Sequence, residues 1–268
     1  VEEWAARKGL DLLVEKNTAR LIGQRGKGIE AEELANTTNP IVVLGGDGTL
    51  IGVAHFVNGT TPTLVGVNFG RLGFLTEIAP DELFGTLESV LAGRAFLGER
   101  NMILAEVWRK KTVVFSAQAV NEAVVLKGAQ SPLLSLDVSV DGNDVMRLRA
   151  DGLIISTATG STAYSLAAGG SIVYPTLPVV LMTPICPHSL NVRPLLLKQD
   201  SEIHISIPEF SSKLFLSVDG QISEELQTGD VVQLRRAKNV VQFVSSPTRN
   251  YFEILRAKLN WGIANSEE

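Results

Sequence analysis

The chain has a single cysteine, Cys186, among its 268 residues, so it can form neither an intrachain disulfide nor a cysteine-rich zinc site. It has no strong excess of charge: 24 Lys and Arg stand against 29 Asp and Glu, a net charge of −5, and no block is rich in lysine or arginine. That balance argues against nucleic acid or an anionic membrane as the main partner. No apolar run approaches the ~20 residues that span a bilayer, and the N-terminus lacks the charged-then-apolar pattern of a signal peptide. His55 and His204 have no partners at metal-ligand spacing, and His188 reads as a packed histidine, so no protein-bound metal is expected. The P-loop pattern G-x-x-x-x-G-K-[ST] is also absent. What remains is an ordinary globular composition, 45% hydrophobic, long enough for one large domain or two smaller ones. Cytoplasm is the expected compartment.

The first third alternates element types. "LDLLVE", "PIVVLG" and "PTLVGVNFG" read as short buried strands. "APDELFGTLESVLAG" reads as a helix with Leu83, Phe84, Leu87, Val90 and Leu91 on one face and Gly93 after its end. Strands alternating with helices imply an α/β domain with a parallel sheet. From about Met102 the period changes to two: "LLSLDVSVDGND", "SEIHISIP", "KLFLSVDG" and "DVVQLRR" predict an antiparallel sandwich or layered sheet. A long helix is expected to interrupt it at "TGSTAYSLAAGG". The resulting division is an α/β domain over 1–100, a β-rich domain over 101–250, and a helix-like segment, 251–268, that packs back on the first domain.

The stretch "PIVVLGGDGTLIG" carries the strongest local signal for chemistry. A strand that ends in Gly45 and Gly46 and opens a helix brings backbone amides to a ligand without Cβ obstruction, at the positive end of a helix dipole. Asp47 does not suit a plain phosphate cradle, because a carboxylate repels phosphate. It makes sense as a group that takes the proton of a hydroxyl attacking a phosphate. The competing reading is a strand-to-helix turn with Asp47 as a cap. A second loop, "ADGLIISTATGSTAYSLAAGG", supplies the hydroxyls of Ser156, Thr157, Thr159, Ser161 and Thr162 and the ring of Tyr164. Helix capping accounts for one or two of these hydroxyls. "GKGIEA" at 26–31 fits the G-x-G-x-x-A dinucleotide fingerprint but follows no convincing strand, and reads as a surface loop.

Taken in order, "GGDGT" at 45–49, "NFGRLGFLTE" at 68–77, "NE" at 121–122, the second glycine loop at 151–170, "TPICPHSLNVRPLLL" at 183–197 and "VDGQI" at 218–222 resemble the bacterial NAD kinase family. The resemblance runs from about residue 40 to "YFEILRAKLNWG". GGDGT alone is shared with lipid and sphingoid-base kinases; the second loop and the Asn-Glu pair make it specific. It implies the NAD kinase/diacylglycerol kinase-like fold and transfer of the terminal phosphate of ATP, with polyphosphate as an alternative donor, to the 2′-hydroxyl of the adenosine ribose of NAD, giving NADP. Mg²⁺ or another divalent cation would arrive with ATP. Asp47 would be the general base, Gly48 would lie against the dinucleotide, and Gly45, Gly46, Gly48 and Thr49 would form the phosphate loop. Asn121 and Glu122 would bind ribose hydroxyl and adenine. Arg149 and Asp151 would line the nicotinamide side. Thr162, Ala163, Tyr164, Ser165, Leu166 and Ala167 would hold the adenosine portion, and Gln221 matches the late D-G-Q turn. Family members are homodimers or homotetramers whose subunits help to close the site.

Two departures stand out. The family's opening strand with its Gly/Pro turn is absent here, so Val1 is read as a start that has lost a preceding segment. Where many relatives carry a basic residue about ten positions after the Asn-Glu pair, this chain has Ser131 and Pro132. Rival readings are a lipid or small-alcohol kinase, which predicts a long apolar groove, and a dinucleotide sensor that binds without turnover. A plain dehydrogenase would rest on the poorly placed 26–31 match.

Overall fold

The computed structural model describes residues 1–24, 26–70, 72–128, 133–208 and 213–262. Ser131 and Pro132 lie outside the described residues. Two compact units are present, Val1–Glu99 with Val241–Glu268, and Arg100–Val240.

The first unit opens with α1 (Glu2–Lys8), α2 (Lys16–Leu21) and α3 (Ala31–Thr37), followed by β1 (Ile41–Leu44), α4 (Asp47–Ala54), β2 (Thr63–Val67) and α5 (Leu83–Leu91). β1 and β2 pair in parallel, Ile41 opposite Leu64 through Leu44 opposite Val67. All of β2 is buried, the state expected of a strand covered on both faces. Helices supply that cover: Trp4 and Ala5 of α1 and Leu83 and Leu87 of α5 cluster with Val65 and Val67. Trp4 meets Phe84 with ring centroids 5.8 Å apart. α5 stops ahead of Gly93, which takes a left-handed φ of 66°.

One expected strand is not formed. "LDLLVE" makes a single bridge, Glu15 to Ile29, and Leu10, Leu12 and Leu13 remain exposed. Branched apolar residues favour a strand only where a partner runs alongside, and here pairing is confined to that one end.

The second unit contains β3 (Leu97–Arg109), β4 (Thr112–Ala119), β5 (Glu122–Lys127), β6 (Leu134–Val140), β7 (Asn143–Ala150), β8 (Gly152–Thr157), a 3₁₀ turn (Thr159–Thr162), α6 (Tyr164–Ala167), β9 (Val179–Ile185), β10 (Leu195–Lys198), β11 (Ile203–Ser206), β12 (Leu214–Val218), β13 (Ile222–Leu226) and most of β14 (Val231–Val244). One antiparallel sheet has the order β10-β9-β8-β5-β12-β13. A second antiparallel array sets β11 between β14 and β6, with β7 outside β6. Alternate residues from the two arrays, among them Leu136, Val138, Ile205, Ile155, Met182 and Leu216, share one apolar core, so the expected sandwich is present. The β6–β7 hairpin turns on Asp141 and Gly142, both at positive φ, as an Asp-Gly turn requires. A partly buried ion pair ties β3 to the start of β14: Arg109 Nε and Nη2 donate to Asp230 Oδ1 and Oδ2 at 2.9 and 2.8 Å.

The long helix expected at "TGSTAYSLAAGG" is replaced by the 3₁₀ turn and the four-residue α6, broken at Ala163 with φ −97° and ψ −131°. Ser161 and Thr162 bond to main-chain carbonyls here, which competes with a continuous helix. The chain then returns to the first unit, where Gln242 and Phe243 pair in parallel with Thr63 and Leu64. It ends in α7 (Tyr251–Leu259), which opens on a capping box between Asn250 and Glu253. Among the described residues no helix is long and apolar enough to cross a membrane.

Candidate functional site

In the first unit, β1 delivers the glycine loop to the start of α4. The Gly45 N–H donates to the Val67 carbonyl at 2.9 Å, fixing the end of β1 on β2. The two glycines then do different things. A Cβ on Gly45 would lie 2.7 Å from Thr49 Oγ1, so Gly45 is required by the packing of Thr49, whereas Gly46 has open space at that point. Gly46 is therefore the position that leaves the loop accessible. Gly48 and Thr49 are exposed in the first turn of α4.

Asp47 does not cap its own helix. Its Oδ1 accepts from the N–H groups of Leu75 and Thr76 at 3.1 and 2.9 Å and from the Thr76 hydroxyl at 2.9 Å, and its Oδ2 accepts from the Phe74 N–H at 2.8 Å. Asn68 Nδ2 donates to Thr76 Oγ1 at 3.2 Å and so orients that hydroxyl. Gly73 makes room for the carboxylate, since a Cβ there would stand 2.0 Å from Asp47 Oδ1. A carboxylate offers about four lone-pair sites. Oδ1 is saturated, and the remaining acceptor capacity lies on Oδ2.

In the second unit, the Asn121–Glu122 pair opens β5, between β8 and β12. The Asn121 carbonyl accepts from the Thr157 N–H at 2.8 Å and from Ser156 Oγ at 3.2 Å, and Thr157 Oγ1 donates to the Val120 carbonyl at 2.6 Å. Gly160 presses against the same peptide. On the other side, the Asp219 carboxylate accepts from the N–H groups of Val120, Asn121 and Glu122 at 2.8, 2.8 and 2.9 Å. Sequence reading assigned no role to Asp219, Asn68, Gly73 or Thr76; Asp-Gly at a strand end was the one local signal for the first.

Glu122 is 7% exposed and its Oε2 has no hydrogen-bond partner within the chain. Burial and the neighbouring Asp219 charge push its pKa up to about 8, against a downward pull from the Tyr164 N–H. The native protein thus keeps a proton on Glu122 that the unfolded chain loses near pH 4.5, and stability falls as pH rises from that value to about 8. Glu122→Gln, which cannot ionise, is expected to flatten that fall; urea unfolding near both ends of the window measures it, and an unchanged slope would contradict the assignment.

The hydroxyl-rich loop is mostly framework. Besides Ser156 and Thr157, Ser161 Oγ bonds to the carbonyls of Ala158 and Val173, and Thr162 Oγ1 approaches the Thr159 carbonyl at 3.4 Å. Ser165 is fully buried, and its Oγ pairs with Thr183 Oγ1 on β9 at 2.9 Å. Ser165→Ala should therefore cost about 1–3 kcal/mol of stability, by stranding the Thr183 hydroxyl, and leave dinucleotide affinity unchanged; denaturant unfolding and titration calorimetry measure the two effects. Tyr164 and Ala167 are exposed, and Ala163 and Leu166 are half-buried. Gln221 is exposed two residues beyond Asp219.

Arg149 and Asp151 do not join this group. Glu122 lies opposite Ser156, whereas Asp151 precedes the other end of β8, about 17 Å away at ~3.3 Å per residue. There Asp151 pairs with Lys127 Nζ at 2.7 Å, and Arg149 is exposed. The 26–31 match adjoins no strand-to-helix junction: Gly28 sits where a Cβ would meet Lys16 Cα of α2 at 2.5 Å. Among the described residues no group of three His, Cys, Asp or Glu could hold a metal.

A parallel-stranded unit presenting a glycine-flanked carboxylate, and a β-sandwich presenting a half-buried Asn121 beside a buried Glu122, is the architecture of a nucleotide phosphotransferase of the GGDGT type. Residues 2–95 match the family model for the ATP-NAD kinase N-terminal domain, and residues 120–246 match that for the ATP-NAD kinase C-terminal domain. The NAD kinases of Geobacter metallireducens and Geobacter sulfurreducens are 42% and 44% identical over 259 residues, 97% of this chain and 91% of each relative. A crystal structure of yeast NADH kinase complexed with NADH superimposes with a TM-score of 0.89 at 28% identity, covering 98% of this chain and 83% of that one. An NAD kinase from Archaeoglobus fulgidus in complex with ATP gives 0.74 at 25%, covering 96% and 93%. The chain belongs to the NAD kinase family and is a kinase.

Proposed function

We propose that this protein transfers the γ-phosphate of ATP to the 2′-hydroxyl of the adenosine ribose of NAD, with Asp47 as general base and NADP as product. The observation that carries the reading is similarity over nearly the whole chain, 97% of it at 42–44% identity, to proteins named NAD kinase. The geometry of the two carboxylates supports it. Asp47 is locked in one orientation by four donors, and the capacity left on Oδ2 is where a hydroxyl proton would go. Glu122 keeps a buried oxygen without a partner, which a ribose hydroxyl would satisfy.

The phosphoryl step needs alignment and charge neutralisation more than covalent help from the protein. Gly46, with open space before it, and the exposed Gly48 and Thr49 suit the approach of phosphates. Mg²⁺ would arrive with ATP and supply neutralisation of the phosphate charge. Asn121 and Glu122 take the ribose and adenine of the dinucleotide, with the exposed Tyr164 offering a ring face. Arg149, near the end of β7, and Asp151, just before β8, line the nicotinamide side, and neighbouring subunits of a homodimer or homotetramer help to close the site. The cytoplasm is its compartment. The test is the formation of NADP from NAD, ATP and Mg²⁺, read with an NADP-specific dehydrogenase. Dinucleotide binding without turnover would instead identify a sensor.

A further inference from the structure

We propose that Asp219 is the positioning residue of the dinucleotide site: an internal anion that fills a nest of three consecutive amides and so sets the Asn121–Glu122 pair. The inference rests on the assignment of that pair to the dinucleotide.

Three successive N–H groups aimed at one point make a concavity that binds anions. Here the N–H groups of Val120, Asn121 and Glu122 converge on the Asp219 carboxylate at 2.8, 2.8 and 2.9 Å. The bonding is reciprocal, because the Asp219 N–H donates to the Glu122 carbonyl at 2.9 Å. Asp219 reaches this position from an unusual backbone. Its φ is +49° and that of Gly220 is +65°, with the Gln221 N–H closing the turn on the Val218 carbonyl at 3.0 Å. Aspartate tolerates the left-handed region better than most residues, and its short carboxylate can then bond to neighbouring main chain. The Val120–Glu122 segment leads into β5, one of the two central strands of its sheet, and ends on the buried Glu122 side chain, so a shift of these peptides moves the unpartnered Oε2 directly. Asp219 needs no contact with the dinucleotide to control its binding.

The test uses Asp219→Ala and Asp219→Asn in the full chain. Asp219→Ala should weaken NAD binding by at least ~10-fold, the loss of charge-assisted hydrogen bonds, with KM for NAD rising and KM for ATP unchanged. Formate, a free carboxylate small enough to enter the emptied nest, should recover affinity in Asp219→Ala and have no effect on Asp219→Asn, whose side chain still occupies it. Exchange of the Val120–Glu122 N–H groups, measured without ligand, should quicken in both variants. Wild-type NAD affinity in Asp219→Ala, or a loss that formate does not relieve in a folded variant, would overturn the proposal. If Asp219→Ala does not fold, Asp219→Asn decides alone: at least ~10-fold weaker NAD binding supports it and wild-type affinity overturns it. A wild-type protein that forms no NADP and binds no NAD would count against the functional reading itself, whereas amide exchange reports on the nest without it.

Discussion

Asp47→Asn is expected to lower kcat by at least ~10², the lower end of what a positioned base contributes, with NAD affinity nearly unchanged. The substitution preserves shape but removes acceptor capacity. Its amide oxygen can keep the saturated side of the clamp, towards Leu75, Thr76 and the Thr76 hydroxyl, which leaves the NH₂ facing the Phe74 N–H. Two donors then oppose each other, and the atom replacing Oδ2 cannot take a proton. The variant therefore separates two roles of one carboxylate. Faster exchange of the Phe74 N–H would report the clamp, and the fall in kcat would report the base. Near-normal turnover would leave Asp47 with the clamp alone.

The second large effect is expected in the second unit, at the frame of the Asn121–Glu122 pair. A Cβ on Gly160 would lie 2.2 Å from the Asn121 carbonyl oxygen and 2.5 Å from its carbon. Both are backbone atoms of a peptide whose carbonyl accepts from the Thr157 N–H and whose Glu122 N–H donates to the Asp219 carboxylate, so neither can yield without breaking the frame. Gly160→Ala should cost about 3 kcal/mol, the upper end of ordinary overpacking, and displace Asn121 and Glu122. Chemical denaturation measures the first effect. Titration calorimetry with NAD measures the second, expected as a loss of at least ~10-fold, which is ~1.4 kcal/mol. Wild-type stability in this variant would mean that the close approach of Gly160 to Asn121 is not a constraint.

Much of this architecture was legible in the sequence because it rests on local patterns. The run of Ile41, Val42, Val43 and Leu44 into two glycines specifies a strand and its end, although only Ile41 and Val43 are buried and Leu44 is exposed; the period-two stretches specify the sandwich. Composition could not tell that Leu10, Leu12 and Leu13 would lack a partner strand. Nor could it tell that the hydroxyls of Ser156, Thr157 and Ser161 would be taken by backbone carbonyls. Those of Ser156 and Thr157 brace the start of β5, and that of Ser161 ties the turn to Val173. The two amide clamps were invisible for a different reason. Asp47 meets residues 27 to 29 positions later, and Asp219 meets residues 97 to 99 positions earlier, so only the fold brings donor and acceptor together. In both cases the sequence showed an Asp beside Gly, which reads equally as a turn.

These two aspartates share a device, a carboxylate that gathers the amides of a neighbouring turn, yet they differ in what is left over. Asp47 keeps acceptor capacity on Oδ2, in a loop with open space at Gly46. Asp219 serves the Asn-Glu pair, where the unpartnered oxygen belongs to Glu122. That division, one carboxylate for the proton and one for the frame, is what the kinetics should resolve.

The most direct test of the kinase assignment is a coupled assay of the purified protein with NAD, ATP and Mg²⁺. Formation of NADP that requires ATP and collapses in Asp47→Asn is the predicted result. A folded wild-type protein that binds NAD and ATP yet yields no NADP would contradict it.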